Sequence, residues 1–164
     1  MKYYAAVFWM ITSGMAFGQR VQSGSFNMML KVMLSHSVPE CSVEQAAKYK
    51  NIQFLDARAK REYDVSHIDQ ALWVGYEDFD VNRLKEIGKD ELIVVYCSVG
   101  YRSEKIAEKI KKLGFTKVFN LYGGIFEWVN QGHAVVSADK PTNKVHAYSK
   151  TFGVWLNKGE KVYE

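Results

Sequence analysis

The chain has 164 residues, 48% of them apolar and 24% charged, enough for one globular domain and too apolar for an intrinsically disordered protein. The 22 Lys and Arg against 18 Asp and Glu leave a net charge of +4, spread along the chain, which argues against a dedicated nucleic-acid binder. Its two cysteines, Cys41 and Cys97, exclude a disulfide scaffold and leave either one bridge or one reactive thiol beside a bystander.

Residues 1–18 (MKYYAAVFWMITSGMAFG) join Lys2, an apolar run from Ala5 to Ile11 and the small-x-small Ala16-Phe17-Gly18. That is the layout of a secretory signal peptide cut near Gly18. A membrane span needs about 20 apolar residues; Thr12, Ser13 and Gly14 interrupt this run, so no stable span is expected after cleavage. The expected location is extracytoplasmic, in the periplasm, where thiols are open to oxidation. Residues 19–38 read as a linker around Ser23-Gly24-Ser25. A Met-rich apolar stretch, Phe26 to Leu34, follows, suited to a short helix on the domain or to a partner.

The domain proper is expected over residues 39–133. Ser42 and Gln45 form a capping box for a short helix with Val43, Ala46 and Ala47 on its apolar face. Ile52–Ala57 is a strand, Arg58–Ile68 reads as a polar loop, and Ala71–Val74 is a second short strand. Asp80 is placed to cap a helix carrying Val81, Leu84 and Ile87, stopped by Gly88. Leu92–Tyr96 (LIVVY) is apolar on both faces, as a central strand of a parallel sheet must be. Ser103–Leu113 is a helix with Ile106, Ala107, Ile110 and Leu113 inward and its lysines outward. Lys117–Leu121 is a further strand, and Gly123-Gly124 opens a last helix through Trp128. This alternation predicts an α/β fold: a mostly parallel central sheet flanked by helices on both faces. Residues 134–164 lie past it; their rings (Tyr148, Phe152, Trp155, Tyr163) predict an extension packed back on the domain.

The chemistry concentrates at Cys97. A buried strand ends there, a loop follows (Cys97-Ser98-Val99-Gly100-Tyr101-Arg102), and a helix starts at Ser103. Ligands of open α/β sheets bind at the carboxyl ends of strands, and helix N-termini offer free N–H groups. A loop turned by Gly100 can aim successive N–H groups inward as an anion nest. A thiol in that nest is expected to favour its thiolate, with Arg102 at the rim able to hold an oxyanion by two hydrogen bonds. Cys97 is therefore the candidate nucleophile, and Ser98, Val99, Gly100, Tyr101 and Arg102 the candidate substrate-binding set. Cys41, just before a capped helix, reads as a bystander, with a role in resolving Cys97 left open. His36, His67, His133 and His146 lack metal-ligand spacing, so no metal is expected.

Four stretches carry a resemblance. Asp56-Ala57-Arg58, Glu62-Tyr63 with His67-Ile68 and Ala71, the loop Cys97 to Ser103, and Tyr122-Gly123-Gly124 with Trp128 are similar, in order, to the signatures of single-domain rhodaneses. The resemblance spans about residues 39–132. It implies a cofactor-free cycle in which Cys97 takes a sulfane sulfur from a small anionic donor such as thiosulfate. The persulfide then passes that sulfur to cyanide or a thiol, protein thiols included. Ser66 and Gln70 stand where the family usually has glycine, and Trp73 replaces a smaller residue. Asp56, Arg58, Glu62 and His67 read as charged pairing that pins the loop from below, rather than as acid–base machinery. Two other readings are a persulfide relay or sensor without turnover, and a phosphatase or arsenate reductase of the same fold. The latter places five residues between Cys and Arg; here there are four, a tighter cradle suited to one sulfur.

Overall fold

The computed structural model describes residues 21–164, so the expected export signal over 1–18 lies outside the described residues. In chain order the elements are α1 (Gly24–Met33), β1 (Glu40–Cys41), α2 (Val43–Lys48), β2 (Ile52–Asp56), α3 (Lys60–Val65) and β3 (Leu72–Trp73). Then come β4 (Leu92–Tyr96), α4 (Tyr101–Lys112), β5 (Lys117–Leu121) and α5 (Gly124–Asn130). The C-terminal segment adds β6 (Val135–Ser137), β7 (Lys140–Thr142), β8 (Lys144–His146), α6 (Lys150–Gly153) and β9 (Glu160–Val162).

The first five strands form one sheet in the order β1-β5-β4-β2-β3, every pairing parallel. Successive side chains of β4 go to opposite faces: Ile93 and Val95 join the core under α4, whereas Val94 and Tyr96 join the core on the other side. Both layers are apolar, which is why LIVVY shows no polar alternation. Ile106, Ala107 and Ile110 of α4 seal one face; Phe26, Leu30, Val43, Ile125 and Phe126, from α1, α2 and α5, seal the other. Fully burying a side chain of this size stabilises by about 1.5–3 kcal/mol. Val145, Ala147 and Leu156 of the C-terminal segment are buried in that second core, and Trp155 stacks on Phe26 with ring centroids 5.3 Å apart.

Several expected boundaries shift. The stretch Arg58–Ile68, expected as a loop, contains α3: the Ala59 N–H donates to Glu62 Oε2 (3.0 Å) and the Tyr63 hydroxyl ties the turn to the Ala71 carbonyl (3.0 Å). The helix expected from Asp80 to Ile87 closes after a single 3₁₀ turn, Val81–Leu84. The Asp80 side chain does cap it, but Arg83 is drawn back to the carbonyls of Val74 and Asp78. Helix α4 starts two residues earlier than expected, at Tyr101, because Gly100 takes φ +127 and ends the loop there. Leu113, expected inward, is the C-cap of α4 and 40% exposed. Ala47 of α2 is likewise exposed, while Val43 and Ala46 are buried.

Candidate active site

Cys97 follows the last residue of β4 at the carboxyl edge of the sheet and is buried. Two backbone bonds from α5 hold the start of its loop: Ile125 N–H donates to the Cys97 carbonyl (2.9 Å) and Phe126 N–H to that of Ser98 (3.1 Å). This close approach explains the Gly-Gly pair. A Cβ on Gly124, which sits at φ +58, would lie 2.4 Å from the Cys97 carbonyl oxygen.

The loop's amide reaches the sulfur. Gly100 N–H donates to Cys97 Sγ at 3.1 Å. That peptide is held from behind: Ser103 Oγ donates to Asn120 Oδ1 (2.7 Å), and Asn120 Nδ2 donates to the Gly100 carbonyl (3.0 Å), all three residues buried. Polar Asn120, between Phe119 and Leu121 in the buried part of β5, was the sequence signal for this support.

The charged residues divide into two groups. Glu62 is a carboxylate under the loop. Its Oε2 accepts from Arg102 Nη1 (2.6 Å), and its Oε1 accepts from Arg102 Nη2 (2.8 Å) and from Ser98 Oγ (3.2 Å). Burial alone would raise the Glu62 carboxyl; the hydrogen bonds and charge of Arg102 outweigh it and bring the pKa down to about 2. Asp56 and Arg58 instead form a fully buried pair, Arg58 Nη2 to Asp56 Oδ2 2.6 Å, with Arg58 Nη2 also donating to the Ser66 carbonyl. His67 joins neither group; its ring stacks on Tyr63 and its Nδ1 bonds the Tyr63 carbonyl. Of the four residues expected to pin the loop, Glu62 therefore touches it directly. The other three brace β2 and the segment after α3.

Arg102 differs from expectation. It is not a free cation at the rim: its guanidinium is taken by Glu62 and Ser98 and covered by the ring of Tyr148, 4.9 Å from its carbon centre. A bidentate carboxylate held this closely is the guanidinium's best available partner, so Arg102 frames the loop rather than waiting for an anion. Tyr101 is 43% exposed beside the opening, and Val99 is buried in the core.

A cavity of about 90 Å³ opens on Cys97, walled by Ser98, Val99, Tyr101 and Arg102 and by Met33, Tyr148 and Phe152. The sequence marks the last three for packing but does not place them at Cys97, because nothing local ties α1 and the C-terminal segment to it. Tyr148 is set by its own backbone N–H, which donates to His146 Nδ1 at 3.1 Å.

Cys41 sits elsewhere. Burial, with Glu40 beside it, pushes its thiol up to about 12. It ends β1, and β5 lies between β1 and β4 in the sheet. Two strand spacings are about 9.5 Å, beyond the roughly 7 Å that a disulfide can bridge. Among the described residues, no group of three or more His, Cys, Asp or Glu could hold a metal ion, and no helix is long and apolar enough to cross a membrane.

The strand, loop and double-glycine helix fall inside residues 42–131, which match the family model of the Rhodanese-like domain. The chain belongs to the rhodanese-like family. A tRNA uridine(34) hydroxylase of Hamiltonella defensa is 32% identical over 128 residues, covering 74% of this chain and 34% of that protein. The chain spans about a third of the length of the curated relatives it matches. Among solved structures, a Bacillus halodurans protein is 25% identical with a TM-score of 0.56, covering 67% of this chain and 81% of its own. A thiosulfate sulfurtransferase of Pseudomonas aeruginosa is alike in fold alone: TM-score 0.58, 17% identity, covering 80% of this chain and 26% of its own. Met33, Tyr148 and Phe152 lie outside the matched rhodanese-like span.

Proposed function

We propose that this rhodanese-like protein is a sulfurtransferase working through a persulfide on Cys97. The observation that carries the reading is the Gly100 N–H held 3.1 Å from Cys97 Sγ, beside a cavity that Cys97 lines. In the first half-reaction the Cys97 thiolate attacks the outer sulfur of thiosulfate. The sulfur–sulfur bond of the donor breaks, its electron pair leaves with sulfite, and Cys97 carries a persulfide anion. In the second, cyanide attacks the outer sulfur, the new bond breaks, and its electron pair returns to Sγ as thiocyanate departs. A backbone donor fixed in advance, here the Gly100 N–H, stabilises charge on sulfur without reorganising, and no general base is needed for a thiolate. A cavity of about 90 Å³ suits a sulfur atom and a small substituent. The activity in the relatives' name belongs to proteins about twice as long, of which the match covers about a third, and is not carried over.

The full chain incubated with thiosulfate is expected to gain the mass of one sulfur atom on Cys97, and to form thiocyanate when cyanide follows. Cys97→Ser abolishes both. A sulfur adduct that forms but turns over only with a protein acceptor supports the relay reading. No adduct with any sulfur donor, combined with hydrolysis of an aryl phosphate, restores the phosphatase reading.

A further inference from the structure

A second, larger cavity adjoins the one at Cys97. About 830 Å³ in volume, it runs between α1 and the C-terminal segment and shares Met33 and Phe152 with the small cavity. Met28, Val32, Val154 and Trp155 also line it. Met28, Val32 and Val154 are 70%, 84% and 59% exposed. Single exposed apolar residues mean little, but contiguous ones around a groove mark a binding site. Among the described residues no charged side chain lines the groove. Among the described residues that wall the small cavity, Arg102 is the one cation, and Glu62 balances it. The path from groove to Cys97 thus carries no unbalanced charge, and its inner end admits only a narrow group.

We propose that the groove binds the hydrocarbon body of a thiol acceptor whose sulfur reaches Cys97 between Met33 and Phe152. This rests on the persulfide reading above and names its second substrate by class: a neutral, apolar thiol. The volume falls in the range of small-ligand sites, and methionines supply walls that adapt to flexible chains. The step balances without an added oxidant. The acceptor thiolate attacks the outer sulfur of the Cys97 persulfide and forms a new sulfur–sulfur bond. The bond to Sγ breaks with its electron pair kept on Cys97, and the acceptor leaves as a persulfide anion.

The test uses the full chain, with Cys97 loaded by thiosulfate in one arm and by inorganic polysulfide in the other. Transfer is then followed to straight-chain alkanethiols from ethyl to octyl. These thiols differ little in acidity, so chain length reports burial. The rate constant is expected to rise about two- to fourfold per methylene until the groove is filled. Val32→Asp, at a surface position that folding tolerates, is expected to bring the octyl-to-ethyl ratio close to one. A flat series on loaded wild-type protein overturns this proposal and leaves the persulfide reading intact. A second copy seated in the groove gives that flat series together with a molecular mass that falls on dilution. Residues 1–20 seated there give it without the mass change. Failure of Cys97 to load from either donor overturns the persulfide reading, and this proposal with it.

Discussion

Replacing Glu62 by Gln isolates the charge of one buried carboxylate at nearly constant shape. Glu62 accepts two bonds from Arg102, one from Ser98 Oγ and one from the Ala59 N–H. The amide keeps the volume but turns an NH₂ toward guanidinium donors and leaves Arg102 without a counter-charge. Lowering this carboxyl from its ordinary 4.5 to about 2 corresponds to roughly 3 kcal/mol of stability at neutral pH. That agrees with the 3–5 kcal/mol typical of breaking a buried pair. Because the folded-state value is depressed, the contribution is present above 4.5 and fades as pH falls toward 2. Urea unfolding followed by tryptophan fluorescence is therefore expected to show the variant about 3 kcal/mol less stable than wild type at neutral pH. The gap should narrow below pH 4.5 and close near pH 2. The freed guanidinium should also lower the KM for thiosulfate. A gap below about 1 kcal/mol, the worth of an exposed pair, or one that ignores pH, would refute the reasoning.

Three further outcomes are expected. Gly124→Ala forces a Cβ to within 2.4 Å of the Cys97 carbonyl at φ +58; it should cost at least about 2 kcal/mol and displace the loop, read as a lower thermal midpoint together with lost sulfur transfer. Asn120→Leu leaves the Gly100 carbonyl and the Ser103 hydroxyl without their amide partner. The Ser103 hydroxyl and the Glu104 N–H still serve the Gly100 carbonyl, so the change should cost about 1 kcal/mol and slow persulfide formation, and single-turnover rates equal to wild type would show that Asn120 does not position the loop. Iodoacetamide on the native chain near pH 8 should add once, at Cys97. Cys41, with its thiol near 12, should react only after unfolding, and peptide mass mapping distinguishes the two sites.

The sheet and its helices were legible because burial on both faces leaves a plain mark. β4 coincides with the apolar run Leu92–Tyr96, β5 with Lys117–Leu121, and α4 shows its period in Ile106, Ala107 and Ile110. α3 was not legible, since its helix rests on a backbone cap from Glu62 and a tyrosine hydroxyl rather than on an apolar stripe. The Cys97 loop was legible from strand end, glycine and helix start. The employment of Arg102 was not: its partner stands 40 residues away, and a sequence shows two charges without showing that they meet. The same holds for Tyr148. Its aromatic character predicted packing somewhere, and the place, over Arg102, is set by long-range closure of the C-terminal segment.

The strand that separates the two cysteines would leave a persulfide on Cys97, as proposed above, dependent on other molecules. With β5 between β1 and β4, Cys97 has no thiol of its own chain within reach. On the persulfide reading proposed above, a sulfur atom left on Cys97 stays until an acceptor from outside the chain removes it. On that reading the site works as a loading dock, emptied by callers, and not as a switch that resets itself. Its state at any moment records the balance of suppliers and collectors around it.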